Sequence, residues 1–413
     1  MQTIVFLTEF DLNNRSGSSF NRIIELSKAF CLATGKSVYI TSLTMDNMSP
    51  VEIKFNEEVP INAIGKTKNN SKDFFTKRYL LHKEKFRELK RIVCYFENKD
   101  IKPVFVIYNF FSSFYDQIVF TKYIKNKGFK VISEKNELAL ASAKIRSYPK
   151  GIINKVIFSI FHLIEMINGF YIDRYLKNFD GFITINENHK KYIQHKEPDT
   201  PVLKIPILYS KSTHENFDVN SGNQKFKIGY FGTINFKRDK IDVVLKGLDI
   251  LKSKYQMSNI IFTIGGKASR HQEAKLKNMI KRYELNKIVK YVGYLSKDEL
   301  NIQLKNQSVL LALRNNNLQG KYSFATKIAM YMHLGKIPLV SDVSDNNVYI
   351  KNNVNGFILK KTDASELAKL LHEIAKMDKK TLSMISNEAK QTALEHFSYN
   401  AYVEVLKVFL DEI

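Results

Sequence analysis

The chain has 413 residues, 44% of them hydrophobic and 25% charged, which is enough apolar material for more than one core. A single core stops growing near roughly 250–300 residues, so two domains are expected, and this composition excludes collagen-like, disordered and disulfide-framework classes. The 64 Lys and Arg against 41 Asp and Glu leave a net charge of +23, which favours a polyanionic partner: nucleic acid, an anionic membrane face or phosphorylated ligands.

The N-terminus carries no basic leader, and its apolar run, Ile4–Leu7, is too short for a signal peptide. Ile4–Leu7 reads as a first strand, followed by a polar loop containing Ser16-Gly17-Ser18. A helix follows, with Phe20, Ile23, Ile24, Leu26, Ala29 and Phe30 at helical spacing and Gly35 at its end. Val38–Thr41 is the next strand. Strand, loop, helix, strand is the opening of a parallel sheet with crossover helices. The alternation continues through a helix at about 73–97, a buried strand Val104–Tyr108, a helix at about 113–126 and a strand Lys130–Ser133. A basic helical region at about 152–178, a strand Gly181–Thr184 and a helix from Glu187 complete the first half.

Residues 209–225 are polar and without period, which marks a linker. Beyond it come strands at 227–231, 260–264, 289–292, 309–313 and 337–341, separated by helices at about 241–254, 271–283, 297–304 and 326–334. Helices fill about 363 to 412. The expected fold is α/β: two Rossmann-like, doubly wound domains, 1–208 and 226–413, facing each other across a cleft. The last helix is a candidate to cross back to the first domain.

In such sheets ligands sit at the carboxyl ends of strands and at helix N-termini, so the loops after strands carry the chemistry. Gly17 lets backbone approach a ligand, although an ordinary capped helix explains that loop equally well. Tyr230-Phe-Gly232-Thr233 is followed by Lys237, Arg238 and Lys240; three cations beside a glycine turn suit a diphosphate, as they suit a solvated basic loop. Neither G-x-G-x-x-G nor a Walker A sequence occurs. The most informative run is Tyr322-Ser-Phe-Ala-Thr-Lys327-Ile-Ala-Met330-Tyr-Met-His-Leu-Gly335-Lys-Ile-Pro338-Leu-Val, in which Thr326 is placed to cap a helix and Gly335 to close it.

That run resembles the donor-binding signature of GT-B glycosyltransferases of the retaining, glycogen-synthase-like class (bacterial family 4-like), roughly E-[GS]-F-[GP]-x-[KR]-x-x-E-x-x-x-x-G-x-P-V-V. Tyr230-Phe-Gly-Thr resembles the class's Y-x-G turn. Val292-Gly-Tyr-Leu and Asn353-Val-Asn-Gly356-Phe-Ile-Leu resemble two further turns, so the resemblance covers the C-terminal half almost throughout. The N-terminal half matches in pattern only, at Val131-Ile-Ser-Glu134-Lys-Asn-Glu137 and Gly181-Phe-Ile-Thr-Ile.

The resemblance implies a hexosyltransferase-type enzyme that moves a sugar from a nucleotide sugar, UDP-linked in preference to GDP-linked, to a glycan or lipid-linked glycan. Retention, no metal, no cofactor and a place in capsule or lipopolysaccharide synthesis are implied with it. Gly17, Gly232, Thr233, Lys237, Arg238, Tyr322, Ser323, Phe324, Ala325, Lys327 and Met330 would form the donor site. Lys327 and the amides of Ser323, Phe324 and Ala325 would meet the phosphates and sugar. Tyr322 and Met330 stand where the signature has glutamates, and Met330 offers no ribose hydrogen bond. Glu137, with Glu134, is expected in the cleft; Glu137 and Lys327 are the catalytic candidates. Two alternatives remain at this level: a GT-B sugar-nucleotide epimerase, and a catalytically degenerate glycan-binding or partner subunit.

No Asp-x-Asp, H-E-x-x-H or G-x-S-x-G occurs, so a metal or a hydrolase nucleophile has no motif. Residues 144–170 interleave Lys144, Arg146, Lys150 and Lys155 with Ile, Phe and Leu, in the manner of an interfacial helix on an anionic leaflet; a core helix between domains is the other reading. Nucleic-acid signatures are lacking. The expectation is a cytoplasmic protein, held at the inner face of the membrane.

Overall fold

The computed structural model describes residues 2–9, 18–43, 45–46, 53–54, 61–64, 66–67, 74–108, 113–144, 152–210 and 225–413. The chain divides into two compact units, Met1–Leu208 with Tyr399–Ile413, and Tyr209–Ser398.

In the first unit eight of the described strands form one sheet, and Met45–Asp46 pairs antiparallel with Lys66–Thr67 apart from it. The order of the eight is Val202–Lys204, Gly181–Thr184, Lys130–Lys135, Val104–Tyr108, Ile4–Thr8, Val38–Ser42, Ile61–Ile64 and Ile53–Lys54. All pairings among them are parallel except that of Ile53–Lys54, which runs antiparallel to Ile61–Ile64. The alternation within Ile4–Thr8 fixes two core layers. Ile4 and Phe6 pack with Ile23, Leu26 and Phe30 of the helix Ser18–Thr34. Val5 and Leu7 point the other way, towards Leu89, Val93 and Phe96 of the helix Phe74–Asn98 and Phe120 of the helix Phe114–Asn126. A strand covered on both faces must be apolar throughout, and Ile-Val-Phe-Leu meets that demand.

The helix Val403–Glu412 belongs to this unit: Leu406, Phe409 and Leu410 join the layer of Phe6 and Phe30. Gly181 lets this helix pack closely, because a Cβ there would lie 2.8 Å from the Phe409 ring and push that side chain aside.

The second unit carries a six-stranded sheet, all parallel, in the order Val289–Tyr291, Ile260–Gly265, Phe226–Phe231, Val309–Ala312, Ile337–Ser341 and Phe357–Leu359. Helices Ile241–Lys254 and Ala364–Ala375 supply Leu245, Leu248, Leu367 and Leu371 to its core. Both sheets start in the middle and grow first to one side, then to the other. Each therefore has a reversal of strand order, in the first unit between Ile4–Thr8 and Val104–Tyr108, in the second between Phe226–Phe231 and Val309–Ala312.

Several elements go beyond the sequence expectation. The segment between Ser42 and the helix Phe74–Asn98 holds the short strands Met45–Asp46, Ile53–Lys54, Ile61–Ile64 and Lys66–Thr67, and Val202–Lys204 and Phe357–Leu359 add edge strands. Two- and three-residue strands are too short to show a period, which is why pattern does not find them. Of the expected linker 209–225, residues 211–224 lie outside the described residues. Tyr209 is anchored in the second unit, its amide donating to the Phe397 carbonyl at 2.8 Å. No helix among the described residues is long and apolar enough to cross a membrane.

Candidate donor site in the second unit

At the strand-order reversal of the second unit, Phe226–Phe231 ends in Gly232 and Val309–Ala312 runs on to Arg314. Three glycine turns are laid against one another at the carboxyl edge. The Gly232 amide donates to the Gly265 carbonyl at 3.0 Å, and the Gly266 amide to the Gly293 carbonyl at 2.7 Å. Gly266 has a φ of +136°, and a Cβ there would lie 1.9 Å from the Gly232 carbonyl oxygen. Gly232 itself has a φ of +149°, and its bare Cα makes room for Lys327, whose Nζ would be 3.0 Å from any Cβ.

The run after Gly232 is not a loop. Asn235 accepts from the Arg238 amide through its side chain and so caps one turn of helix, Phe236–Asp239. That turn buries Asp239 almost completely. Around its carboxylate stand Arg238 Nε at 3.0 Å, Lys327 Nζ at 3.7 Å and Arg314 Nε at 3.9 Å. Three cations on one carboxylate leave a surplus of two positive charges when Lys327 is protonated. Lys327 also lies over the Tyr230 ring at 3.8 Å from its centroid, and the Tyr230 hydroxyl donates to the Thr233 carbonyl at 2.7 Å.

Burial pushes the Lys327 amine down to about 7; Asp239 opposes the shift, while Arg314 and Arg238 add to it. An amine so placed gains most from a further anion, because that restores what desolvation removed. The helix Thr326–His333 begins at Lys327's own end of the strand edge. Its N-cap is Ala325, with no side-chain cap, so Thr326 is the first helical residue and not the cap that its hydroxyl suggests. The amides of Ser323, Phe324 and Ala325 donate to no acceptor among the described residues. Phe324 is buried against Tyr349 and Phe397, which fixes the loop that presents those amides.

The structure thus brings Gly232, Arg238 and Lys327 together. Thr233 is exposed beside them, and Lys237 is exposed with its carbonyl accepting from Asn315 Nδ2. Lys240 is the left-handed residue, φ +53°, between the one-turn helix and Ile241–Lys254. Tyr322 and Met330 are half-buried, Tyr322 at the end of the turn Leu318–Lys321 and Met330 on the helix Thr326–His333. Sequence reasoning missed Asp239 and Arg314. The available signal was the cap pattern Asn235-x-x-Arg238, which turns a basic loop into a helical turn with an inward acid.

In the first unit, Glu137 is half-buried in the turn after Lys130–Lys135 and makes no hydrogen bond or ion pair among the described residues. Glu134 is fully buried, paired with Arg22 Nε at 2.8 Å, so the expectation that it lines an open cleft is corrected. Arg22 spans the layer, donating from Nη2 to the Ile205 carbonyl at 2.9 Å and from Nη1 to that of Pro206. Gly17 lies outside the described residues. Among the described residues no three His, Cys, Asp or Glu side chains converge as metal ligands.

Residues 212–392 match the family model described as glycosyl transferases group 1. Three solved structures are similar over their full length. Alr3699/HepE of Anabaena, in complex with UDP and glucose, aligns with a TM-score of 0.64 at 12% identity, covering 100% of both chains. Sucrose-phosphate synthase of Thermosynechococcus elongatus gives 0.67 at 13% identity, covering 100% of this chain and 99% of that one. The lipopolysaccharide outer core galactosyltransferase WaaB gives 0.62 at 13% identity, covering 99% of this chain and 100% of that one. No curated protein matches the chain in sequence. The chain has the GT-B fold, and its residues 212–392 carry the match to glycosyl transferases group 1.

Proposed function

We propose that the protein transfers a hexose from a nucleotide sugar, UDP-linked in preference to GDP-linked, to a glycan or lipid-linked glycan in cell-surface polysaccharide synthesis. The observation that carries this reading is the cation group Arg238, Arg314 and Lys327 on buried Asp239, beside a glycine turn and unpartnered loop amides. Such a group stabilises the charge that builds on a leaving diphosphate, and does so with fixed donors that need no reorganisation. Transfer without a metal fits that arrangement; retention is taken from the resemblance of the signature run. The structures of HepE with UDP support the choice of donor.

The same reading seats the protein on the inner face of a membrane. The helix Ile152–Arg174 supports it, since Ile160, Leu163, Ile164, Ile167 and Tyr171 form an exposed stripe at helical spacing, with Arg174 at its end.

Calorimetric titration with UDP, GDP, ADP and CMP, with and without magnesium, tests the donor site. UDP is expected to bind without metal. Lys327→Ala removes a charge-assisted contact of about 1.5–3 kcal/mol, which weakens binding roughly tenfold or more. Binding of none of the four nucleotides, followed by failure to turn over UDP-glucose, favours the degenerate glycan-binding alternative.

A further inference from the structure

The strand-order reversal of the first unit holds a second group of charged side chains. Glu9 directly follows Ile4–Thr8, and Asp116 lies in the first turn of the helix Phe114–Asn126, which follows Val104–Tyr108. Both therefore stand at the carboxyl ends of the two strands that flank the reversal, where open α/β sheets bind ligands. The helix Phe74–Asn98 brings His82 and Lys85 to them. His82 Nδ1 meets Asp116 Oδ1, and Lys85 Nζ lies 2.9 Å from Glu9 Oε1 and 3.5 Å from Asp116 Oδ2.

The group is graded from inside to outside. The Lys85 and Asp116 side chains are 2% and 4% exposed, whereas those of Glu9 and His82 are 18% and 20% exposed. Phe120 and Phe86 lie nearly parallel to the imidazole, at 13° and 8°, and hold its plane. Tyr115, 60% exposed, sits with its ring centroid 4.8 Å from that of His82.

A carboxylate on Nδ1 selects the tautomer that carries its proton there and leaves the Nε2 lone pair as an acceptor. Nε2 has no partner among the described residues. Glu9, Asp116 and Lys85 together carry a net charge of −1, in a chain whose total is +23. That sign repels phosphate and suits a neutral hydroxyl donor. Tyr115 adds a flat, exposed apolar ring of the kind that covers the C–H face of a pyranose.

We propose that His82, oriented by Asp116, together with Tyr115 forms a binding site for a neutral sugar: a hydroxyl donates to His82 Nε2 while the ring rests on Tyr115. Its assignment as the acceptor subsite rests on the transferase reading above; the binding itself does not. A bare staple between two helices would need no exposed ring beside it.

The test is histidine-ring NMR of the full chain, titrated with the octyl glycosides of glucose, galactose and N-acetylglucosamine. His82 signals are assigned by their loss in His82→Gln. At least one glycoside is expected to shift them, with affinity weakened at least tenfold in Tyr115→Ala and in Asp116→Asn. Thermal melting checks that each variant folds; should Asp116→Asn unfold, Tyr115→Ala decides alone, since its ring is mostly exposed. His82 signals that respond to none of the three, or respond equally in Tyr115→Ala, overturn the proposal. The nucleotide titration and UDP-glucose turnover of the unaltered protein run alongside: binding of none of the four nucleotides and no turnover, with intact glycoside binding, remove the transferase reading and leave the sugar site standing.

Discussion

At the scale of single residues, Lys327 sets a pH dependence. Its amine is pushed down to about 7, and only the protonated form attracts a diphosphate. Affinity for UDP is therefore expected to be fully present below about pH 7 and to fall as pH rises through that value. Lys327→Ala should lose the dependence along with the affinity, as calorimetry across that range would show. Asp239 favours the charged amine, so Asp239→Asn should move the fall in affinity to lower pH. A merely structural Asp239 would lower stability and leave the pH profile in place. This residue also marks the limit of what sequence discloses. Gly232 and Lys327 are legible because a glycine turn and a signature run are local patterns. Arg314 and Asp239 lie 75 positions apart and meet only through the sheet. His82 and Asp116 are likewise hidden, on two helices 34 residues apart.

At the scale of elements, the carboxyl edge of the second sheet depends on backbone packed against backbone. Gly266 is the sharpest case, because its positive φ and the Gly232 carbonyl at 1.9 Å from any Cβ act together. Gly266→Ala must displace one turn or the other, and strain of this kind costs on the order of 1–3 kcal/mol. For a unit of this size that is a fall in Tm of several degrees, at about 2–4 °C per kcal/mol, readable by calorimetry. UDP binding should fall with it, since Gly232 is the wall that Lys327 leans on. In the first unit the matching element is Arg22, which ties Glu134 to the end of the edge strand Val202–Lys204. Arg22→Met takes from buried Glu134 its ion-pair partner, and breaking a buried pair from one side typically costs about 3–5 kcal/mol. Denaturant unfolding followed by tyrosine fluorescence would report it. The main strands and helices were legible because each is long enough to show a period. The one-turn helix Phe236–Asp239 and the two-residue strands are not, and they are what shape the edges.

At the scale of the whole molecule, the chain closes the first unit with its final segment. Leu406, Phe409 and Leu410 are buried there, and fully burying such side chains contributes about 1.5–3 kcal/mol each. Together that is on the order of 5–9 kcal/mol, against a usual domain stability of roughly 5–15 kcal/mol. Removal of residues 399–413 should accordingly unfold the first unit while the second keeps its melting transition and its UDP binding. Two transitions merging into one, with UDP binding lost, would contradict that independence.

The same closure dictates an order of events during synthesis. Residues 1–208 leave the ribosome first, yet the layer around Phe6 and Phe30 stays open until Leu406 and Phe409 emerge. The second unit, made later, has all its strands by Leu359 and its last helix by His396. The half translated first is thus the half completed last, and its apolar face waits, exposed, while all of Tyr209–Ser398 is made.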